Sequence, residues 1–215
     1  MGHSARELEV DGKRGLSVDE FRTAFAEDWQ LSQFWYTTPF AHRLAEAVHT
    51  VIPAPTERSN IAYICCPTGY IASQNLYQSA TPLLLEYDQR FAVAAASSGG
   101  HFIHYDLEED TLPDTIKGTV ELAIVDPPFL NEGSTEDLFV TNRHLARALK
   151  QVLHPTKGKL VLITSTSVTC LSEVYGSVPQ LGPLRLAKLQ PEHVGLKNDF
   201  ACWTTWEGGE GFGSD

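Results

Sequence analysis

The run Val120 to Val125 ends abruptly in Asp126-Pro127-Pro128-Phe129. A mostly apolar stretch of this length reads as a buried strand. Two consecutive prolines can neither donate to a ladder nor continue it, so the chain must turn rigidly where the carboxyl edge of a parallel sheet would lie. Such a turn carries chemistry as well as geometry. The Asp126 carboxylate and the Pro127 carbonyl can each accept a hydrogen bond from an amine, which turns the nitrogen lone pair toward an electrophile. Phe129 can then pack against the carbon skeleton or ring plane that bears the amine. The plainer alternative is a strand ending with no ligand, because a Pro-Pro pair often does no more than stop a ladder.

The rest of the chain alternates strand and helix patterns. Apolar, β-branched or aromatic runs predict strands at Ile61 to Cys66, Pro82 to Tyr87, His101 to Tyr105, Val120 to Val125 and Lys159 to Thr164, then a close-set pair at Leu184 to Leu189 and Phe200 to Trp206. Helical patterns cover Phe34 to Val51, Tyr70 to Ser79, Glu136 to Leu153 and Val168 to Tyr175. Ser17 followed by Glu20 is a capping-box signature for a short leading helix through Ala26. The order predicts one α/β domain over residues 17–207, on a mainly parallel sheet whose last strand returns antiparallel. Residues 1–16 and 208–215 are expected to fray.

Composition narrows the partner. The formal net charge is −11, and no basic stripe of the kind that grips a phosphate backbone is visible. Arg143, Arg147 and Lys150 share one helix, where a solvated face is the simpler reading. An acidic surface suits a basic protein partner instead. No apolar run is long enough to cross a bilayer, and Arg6 stands where a myristoylation motif after Gly2 wants Ser or Thr. The expectation is a soluble, cytoplasmic protein. Cys65, Cys66, Cys170 and Cys202 show neither metal-ligand spacing nor a disulfide framework, so no metal is expected.

In open α/β sheets the ligand crevice lies at the carboxyl ends of the strands. After the first strand, Cys66-Pro67-Thr68-Gly69 forms a small-residue turn that could bring backbone N–H groups to a polar ligand. The second strand ends at Glu86, with Asp88 close by, and a carboxylate there can accept both hydroxyls of a ribose. The third ends at Tyr105-Asp106, where the acid could accept from an exocyclic adenine amine. Each acid alone is more often a cap or a solvated turn residue. Three in register, with the Asp126 corner at the fourth strand, suggest a nucleoside site beside an amine-holding turn.

Longer strings carry a specific resemblance. They are Asp28-Trp29-Gln30-Leu31-Ser32-Gln33-Phe34-Trp35-Tyr36, Leu85-Glu86-Tyr87-Asp88-Gln89-Arg90-Phe91, Phe102-Ile103-His104-Tyr105-Asp106 and Asp126-Pro127-Pro128-Phe129-Leu130, closed by Pro191, His193, Leu196, Asn198 and Phe200. The chain resembles the eukaryotic translation elongation factor 1-alpha lysine methyltransferases, a family once described as putative N6-adenine-specific DNA methyltransferases. Its N-terminal segment is shorter than in many members. The resemblance implies a seven-stranded class I methyltransferase fold, S-adenosylmethionine as donor and a lysine of elongation factor 1-alpha as acceptor. It further implies Glu86 on the ribose, Asp106 on the adenine amine, and Pro67, Thr68 and Gly69 near the methionine part. Gln33, Trp35 and Tyr36 would close over the cofactor and line the lysine channel, with Asp126 at the junction. His193, Asn198 and Phe200 are candidate substrate contacts.

The chemistry then rests on placement. An ordinary lysine has a pKa of about 10.4, so a closed aromatic channel must favour the neutral amine by desolvation. Asp126 as a carboxylate attracts the ammonium form, so orientation suits it better than strong base action, with the Pro127 carbonyl beside it. Trp35, Tyr36 and Phe129 could meet the growing charge by cation–π contact, worth about 0.5 to 2 kcal/mol. For these aromatics core packing is the alternative. His104 is expected to be packed or hydrogen-bonded inside its strand, and Cys65 and Cys66 to be small buried hydrophobes. Two rival activities share these residues: methylation of an adenine amine in nucleic acid, and an inactive binding module on the same fold.

Overall fold

In the computed structural model of the chain, which describes residues 15–52, 61–77, 81–97, 99–109, 111–130, 135–196 and 199–214, one seven-stranded sheet runs through the molecule in the order β3-β2-β1-β4-β5-β7-β6. The strands are β1 (Ile61–Ile64), β2 (Leu83–Glu86), β3 (His101–His104), β4 (Leu122–Val125), β5 (Lys159–Ser165), β6 (Arg185–Leu186) and β7 (Phe200–Thr204). The first five are parallel; β7 runs antiparallel between β5 and β6. The expected α/β fold, a mainly parallel sheet with an antiparallel last strand, is therefore present. Strand order reverses between β1 and β4, so the carboxyl ends of these two strands part around a crevice.

Period-two alternation divides the core into two layers. Tyr63, Leu84, Ile124 and Ile163 point to one face, under helices α2 (Thr38–Val51) and α3 (Pro67–Leu76). Ile64, Leu85, Val125 and Leu162 point to the other, under α5 (Thr135–Val152) and α6 (Leu171–Gly176). Central strands buried on both faces must be apolar throughout, and this is why β1 and β4 read as continuous rather than alternating runs. Leu162 is fully buried between β4 and β7, with no solvent to fill a void. Leu162→Ala is expected to lower unfolding free energy by about 2 to 5 kcal/mol, read as a lower urea midpoint at unchanged slope.

Helix boundaries depart from the sequence reading in informative places. The capping box of α1 (Val18–Ala24) is closed on both sides, with Glu20 N–H on Ser17 Oγ at 3.2 Å and Ser17 N–H on Glu20 Oε2 at 2.8 Å. Helix α2 starts at Thr38 rather than Phe34, because Thr37 caps it and Pro39 fits its first turn. Residues 34–37 are extended instead. Helix α3 starts at Pro67, so the expected turn at Pro67 to Gly69 is the helix's own first turn. A further helix, α4 (Phe91–Ser97), joins β2 to β3 where no helix was expected. Its alanines carry little periodic contrast. At the far end, where fraying was expected, the chain forms a 3-10 turn at Gly209–Gly211. Phe212 is buried against Trp206, and the carbonyls of Glu210 and Phe212 accept from Lys188 and Leu189.

Candidate active site

A cavity of ≈ 390 Å³ opens at the carboxyl ends of the parallel strands. Asp126 and Pro127 form one wall, with Cys65, Cys66 and Thr68 beside them and Glu86 and Asp106 further along. Asp126 is held from two directions. Its backbone N–H donates to the Ile64 carbonyl at 3.1 Å, continuing the β1–β4 ladder by one step before Pro127 ends it. Its Oδ2 accepts from the phenol of Tyr36 at 2.5 Å. Burial pushes the Asp126 carboxyl up to about 7; the Tyr36 hydrogen bond works the other way, and the nearby Glu86 charge adds to the rise. Tyr36 is buried and its phenol is raised well above its ordinary value, first by burial and then by Asp126, so it keeps its proton and donates.

Tyr36 occupies this place because residues 34–37 pair with the loop between β6 and β7. Tyr36 bridges antiparallel to His193, Val194 N–H donates to the Trp35 carbonyl at 2.9 Å, and Thr37 N–H donates to the Glu192 carbonyl at 2.8 Å. An Arg43–Glu192 ion pair of 2.7 Å ties the same loop to α2. The pairing gathers aromatic edges on one side of Asp126. His193 lies 5.0 Å from the Tyr36 ring and 4.5 Å from Phe200, which meets Phe129 edge-on at 5.9 Å. Burial lowers His193 to about 4, so it is neutral at physiological pH and presents an uncharged ring. Phe129 is fixed through its N–H, which donates to Ser32 Oγ at 2.8 Å.

The carboxylate end is equally ordered. Glu86 is 7% exposed, and its Oε1 accepts from the N–H groups of Tyr87 and Asp88 at 3.0 and 3.2 Å. Burial nevertheless raises it to about 7, against the lowering effect of those two donors. Asp106 Oδ1 accepts from Glu108 N–H at 2.9 Å, which fixes the turn after β3. Asp88 is occupied elsewhere: Arg90 grips it with Nε at 3.0 and 2.9 Å and a terminal nitrogen at 2.6 Å, and Gln33 Nε2 donates at 3.0 Å. Burial opposes its ionisation, but the Arg90 and Gln33 bonds outweigh that and hold the carboxyl below its usual range. Gln33 thereby anchors the segment that carries Tyr36.

Most of the expected site residues converge on this cavity: Gln33, Tyr36, Pro67, Thr68, Glu86, Asp106, Asp126, Pro127, Phe129, His193 and Phe200 all line it. Four expectations change. Trp35 borders the cavity, but its indole is turned into the core, donating from Nε1 to the Phe25 carbonyl at 2.9 Å and meeting Phe21 and Phe91 edge-on. It is not at a helix start, and its ring packs in the core rather than standing free at the cavity wall. Gly69 does not line the cavity; a Cβ there would lie 3.0 Å from Cys66 Sγ and 3.1 Å from Leu44, so the glycine serves close packing of α3. His104 is exposed on the edge strand β3, 5.5 Å from Tyr87, rather than packed. Cys65 is only partly buried and lines the cavity with φ 55°, a left-handed conformation unusual for cysteine at the strand-to-helix turn. Cys66 is buried as expected. Asn198 lies outside the described residues.

Sequence reasoning missed Ser32, Cys65 and Tyr105 in the lining. Ser32 and Tyr105 each had one detectable signal: they sit inside strings that carry the resemblance. Among the described residues no group of histidine, cysteine or acidic side chains could hold a metal ion, and no helix is long and apolar enough to cross a membrane.

Comparison with known proteins agrees with this geometry. The family described as probable N6-adenine methyltransferase matches residues 27–208. The protein-lysine N-methyltransferase EFM5 of Saccharomyces cerevisiae is 33% identical over 199 residues, covering 88% of this chain and 76% of that protein. EEF1A lysine methyltransferase 1 of Mus musculus is 32% identical over 187 residues, covering 85% and 77%. Among solved structures, a TehB-like S-adenosylmethionine-dependent methyltransferase from Corynebacterium glutamicum superposes with a TM-score of 0.50 at 17% identity, covering 77% of this chain and 87% of that one, which speaks to the fold alone. Fold, sheet order and sequence relatives converge: the chain belongs to the EEF1A lysine methyltransferase family, class I enzymes that use S-adenosylmethionine as methyl donor.

Proposed function

We propose that this protein is a protein-lysine N-methyltransferase whose acceptor is a lysine of translation elongation factor 1-alpha. The reading is carried by one observation: the Asp126-Pro127 corner and the rings of Tyr36, Phe129, His193 and Phe200 wall the same cavity as Glu86 and Asp106. An amine and a nucleoside thus have adjoining places. The yeast relative's name supports a protein-lysine acceptor, and the mouse relative's name supports EEF1A as the protein that carries it.

The residues present fit the donor. Both bonds to Glu86 fall on Oε1, which leaves its other oxygen for a ribose hydroxyl. Helix α3 follows its N-cap Cys66, Pro67 has no N–H and Tyr70 N–H is used on the Cys66 carbonyl, so the Thr68 N–H is the first-turn donor that can meet the polar end of the methionine part. Asp106 has one oxygen in its own turn and a second for an adenine amine. When bound, the donor supplies a methyl group already activated by its sulfonium. The chain's own task is then to select, aim and deprotonate the acceptor nitrogen.

Asp126 draws the ammonium side chain into the crevice, and desolvation by the aromatic walls favours loss of its proton to water. Tyr36 holds Oδ2, so Oδ1 and the Pro127 carbonyl are the acceptors that orient the neutral amine. The rings of Tyr36, Phe129 and Phe200 face the cation that forms on methylation. His193, being neutral, adds no opposing charge.

Labelled S-adenosylmethionine incubated with purified elongation factor 1-alpha is expected to label one lysine, with no label on DNA or RNA oligonucleotides. Label on the oligonucleotides and none on the protein would overturn this reading in favour of adenine methylation.

A further inference from the structure

Trp29 has no structural reason to face solvent, yet it is 71% exposed. It opens a short 3-10 turn, Trp29–Leu31, that Asp28 caps by accepting from Gln30 N–H at 3.0 Å. The ring is held in place by Phe34, edge-on at 5.3 Å. Phe34 and Leu31 themselves line the mouth of the active-site cavity. Beside Trp29 lies an open recess bordered by Asp19, Glu27, Trp35 and Val194. Val194 is exposed and follows His193, which lines the cavity, while Trp35 borders both the recess and the cavity. The polar rim is acidic. Asp19 keeps its side chain 73% exposed while pairing at 3.6 Å with Arg22, the cation among the lining residues, and Glu27 also lines the recess, with Oε1 accepting from Trp35 N–H at 2.8 Å.

An exposed indole flanked by carboxylates has a definite complement. A lysine or arginine side chain can lay its apolar stem and its charge over the ring face while its end meets the acids, a contact stronger on Trp than on other rings. We propose that this recess docks a basic segment of the substrate protein next to the lysine being methylated. The proposal rests on the protein-substrate reading above and adds to it where the second contact is made. It places specificity outside the cavity, in a ring that touches neither donor nor reacting amine. The chain's net charge of −11 favours the same class of partner at longer range.

Two measurements on the full chain separate the possibilities. With elongation factor 1-alpha as substrate, Trp29→Ala should raise KM about tenfold while kcat and the calorimetric affinity for S-adenosylmethionine stay unchanged, and Trp29→Phe should recover most of the loss. Short polylysine should bind the wild type, and more weakly the Trp29→Ala and the Asp19→Asn, Glu27→Gln variants. Because Trp29→Ala leaves charge untouched, its weaker binding distinguishes this recess from general attraction to an acidic surface. Equal polylysine binding by wild type and Trp29→Ala would overturn the proposal, as would a fall in kcat and donor affinity without a change in KM. Polylysine binding that depends on Trp29, in a protein that leaves elongation factor 1-alpha unlabelled, would keep the docking recess and discard the assigned substrate.

Discussion

Asp126→Ala is expected to lower kcat for methyl transfer by about 10²-fold or more, with a much smaller change in S-adenosylmethionine affinity. The reason lies in what else could aim the nitrogen. Removing the carboxylate leaves the Pro127 carbonyl as a single acceptor, and an amine held at one point can rotate its lone pair away from the methyl group. Tyr36 also loses its partner, and a buried phenol without an acceptor will seek another, disturbing the wall that faces the substrate. Glu86 and Asp106, the donor contacts proposed above, are on other strand ends and are untouched by the substitution. Single-turnover kinetics with the donor prebound reads the chemical step directly. Retention of wild-type kcat in a folded Asp126→Ala protein would remove Asp126 from the mechanism.

The residues of this corner were legible because strand endings are local. A continuous apolar run followed by Asp-Pro-Pro leaves few conformations, and Glu86 at the end of β2 and Asp106 just after β3 fall at neighbouring carboxyl ends because the two strands are parallel and paired. The roles of Trp35 and Asp88 were not legible in that way. Trp35 is adjacent to Tyr36 in sequence, yet in an extended segment neighbours point to opposite sides, so one ring enters the cavity and the other the core. Reading the segment as helix hid that alternation. Asp88 and Glu86 likewise lie two apart, but Arg90 and Gln33 claim Asp88 through contacts 2 and 55 residues away, and the latter is a tertiary choice no local pattern shows. Helix α4 was missed for a propensity reason: alanine favours helix without marking a buried face.

The ligand-free protein is expected to lose thermal stability as the pH rises from about 6.5 to about 8, against the usual expectation for carboxylates that gain partners on folding. Burial holds Asp126 and Glu86 at about 7, well above their ordinary values, so the folded chain keeps protons that the unfolded chain has already released. Their contribution is complete below the ordinary carboxylate range and disappears as the pH passes through about 7. The two lie close enough to influence each other, so they titrate as a pair rather than as separate sites. Asp88 acts well below this window, and the opposing contribution of His193, lowered from its ordinary 6.5 to about 4, is mostly complete at the window's lower edge. For a chain of this size about 1 kcal/mol moves Tm by about 2 to 4 °C, so melts across the window should differ by several degrees. The double variant Asp126→Asn, Glu86→Gln should flatten the slope, whereas a wild-type Tm that is constant or rises would contradict the buried-carboxylate account. A second consequence is independent of melting. A cationic donor favours the ionised forms of both acids, so S-adenosylmethionine binding near pH 7 must release protons, and the apparent binding enthalpy should vary with the ionisation enthalpy of the buffer. In the double variant that dependence should vanish.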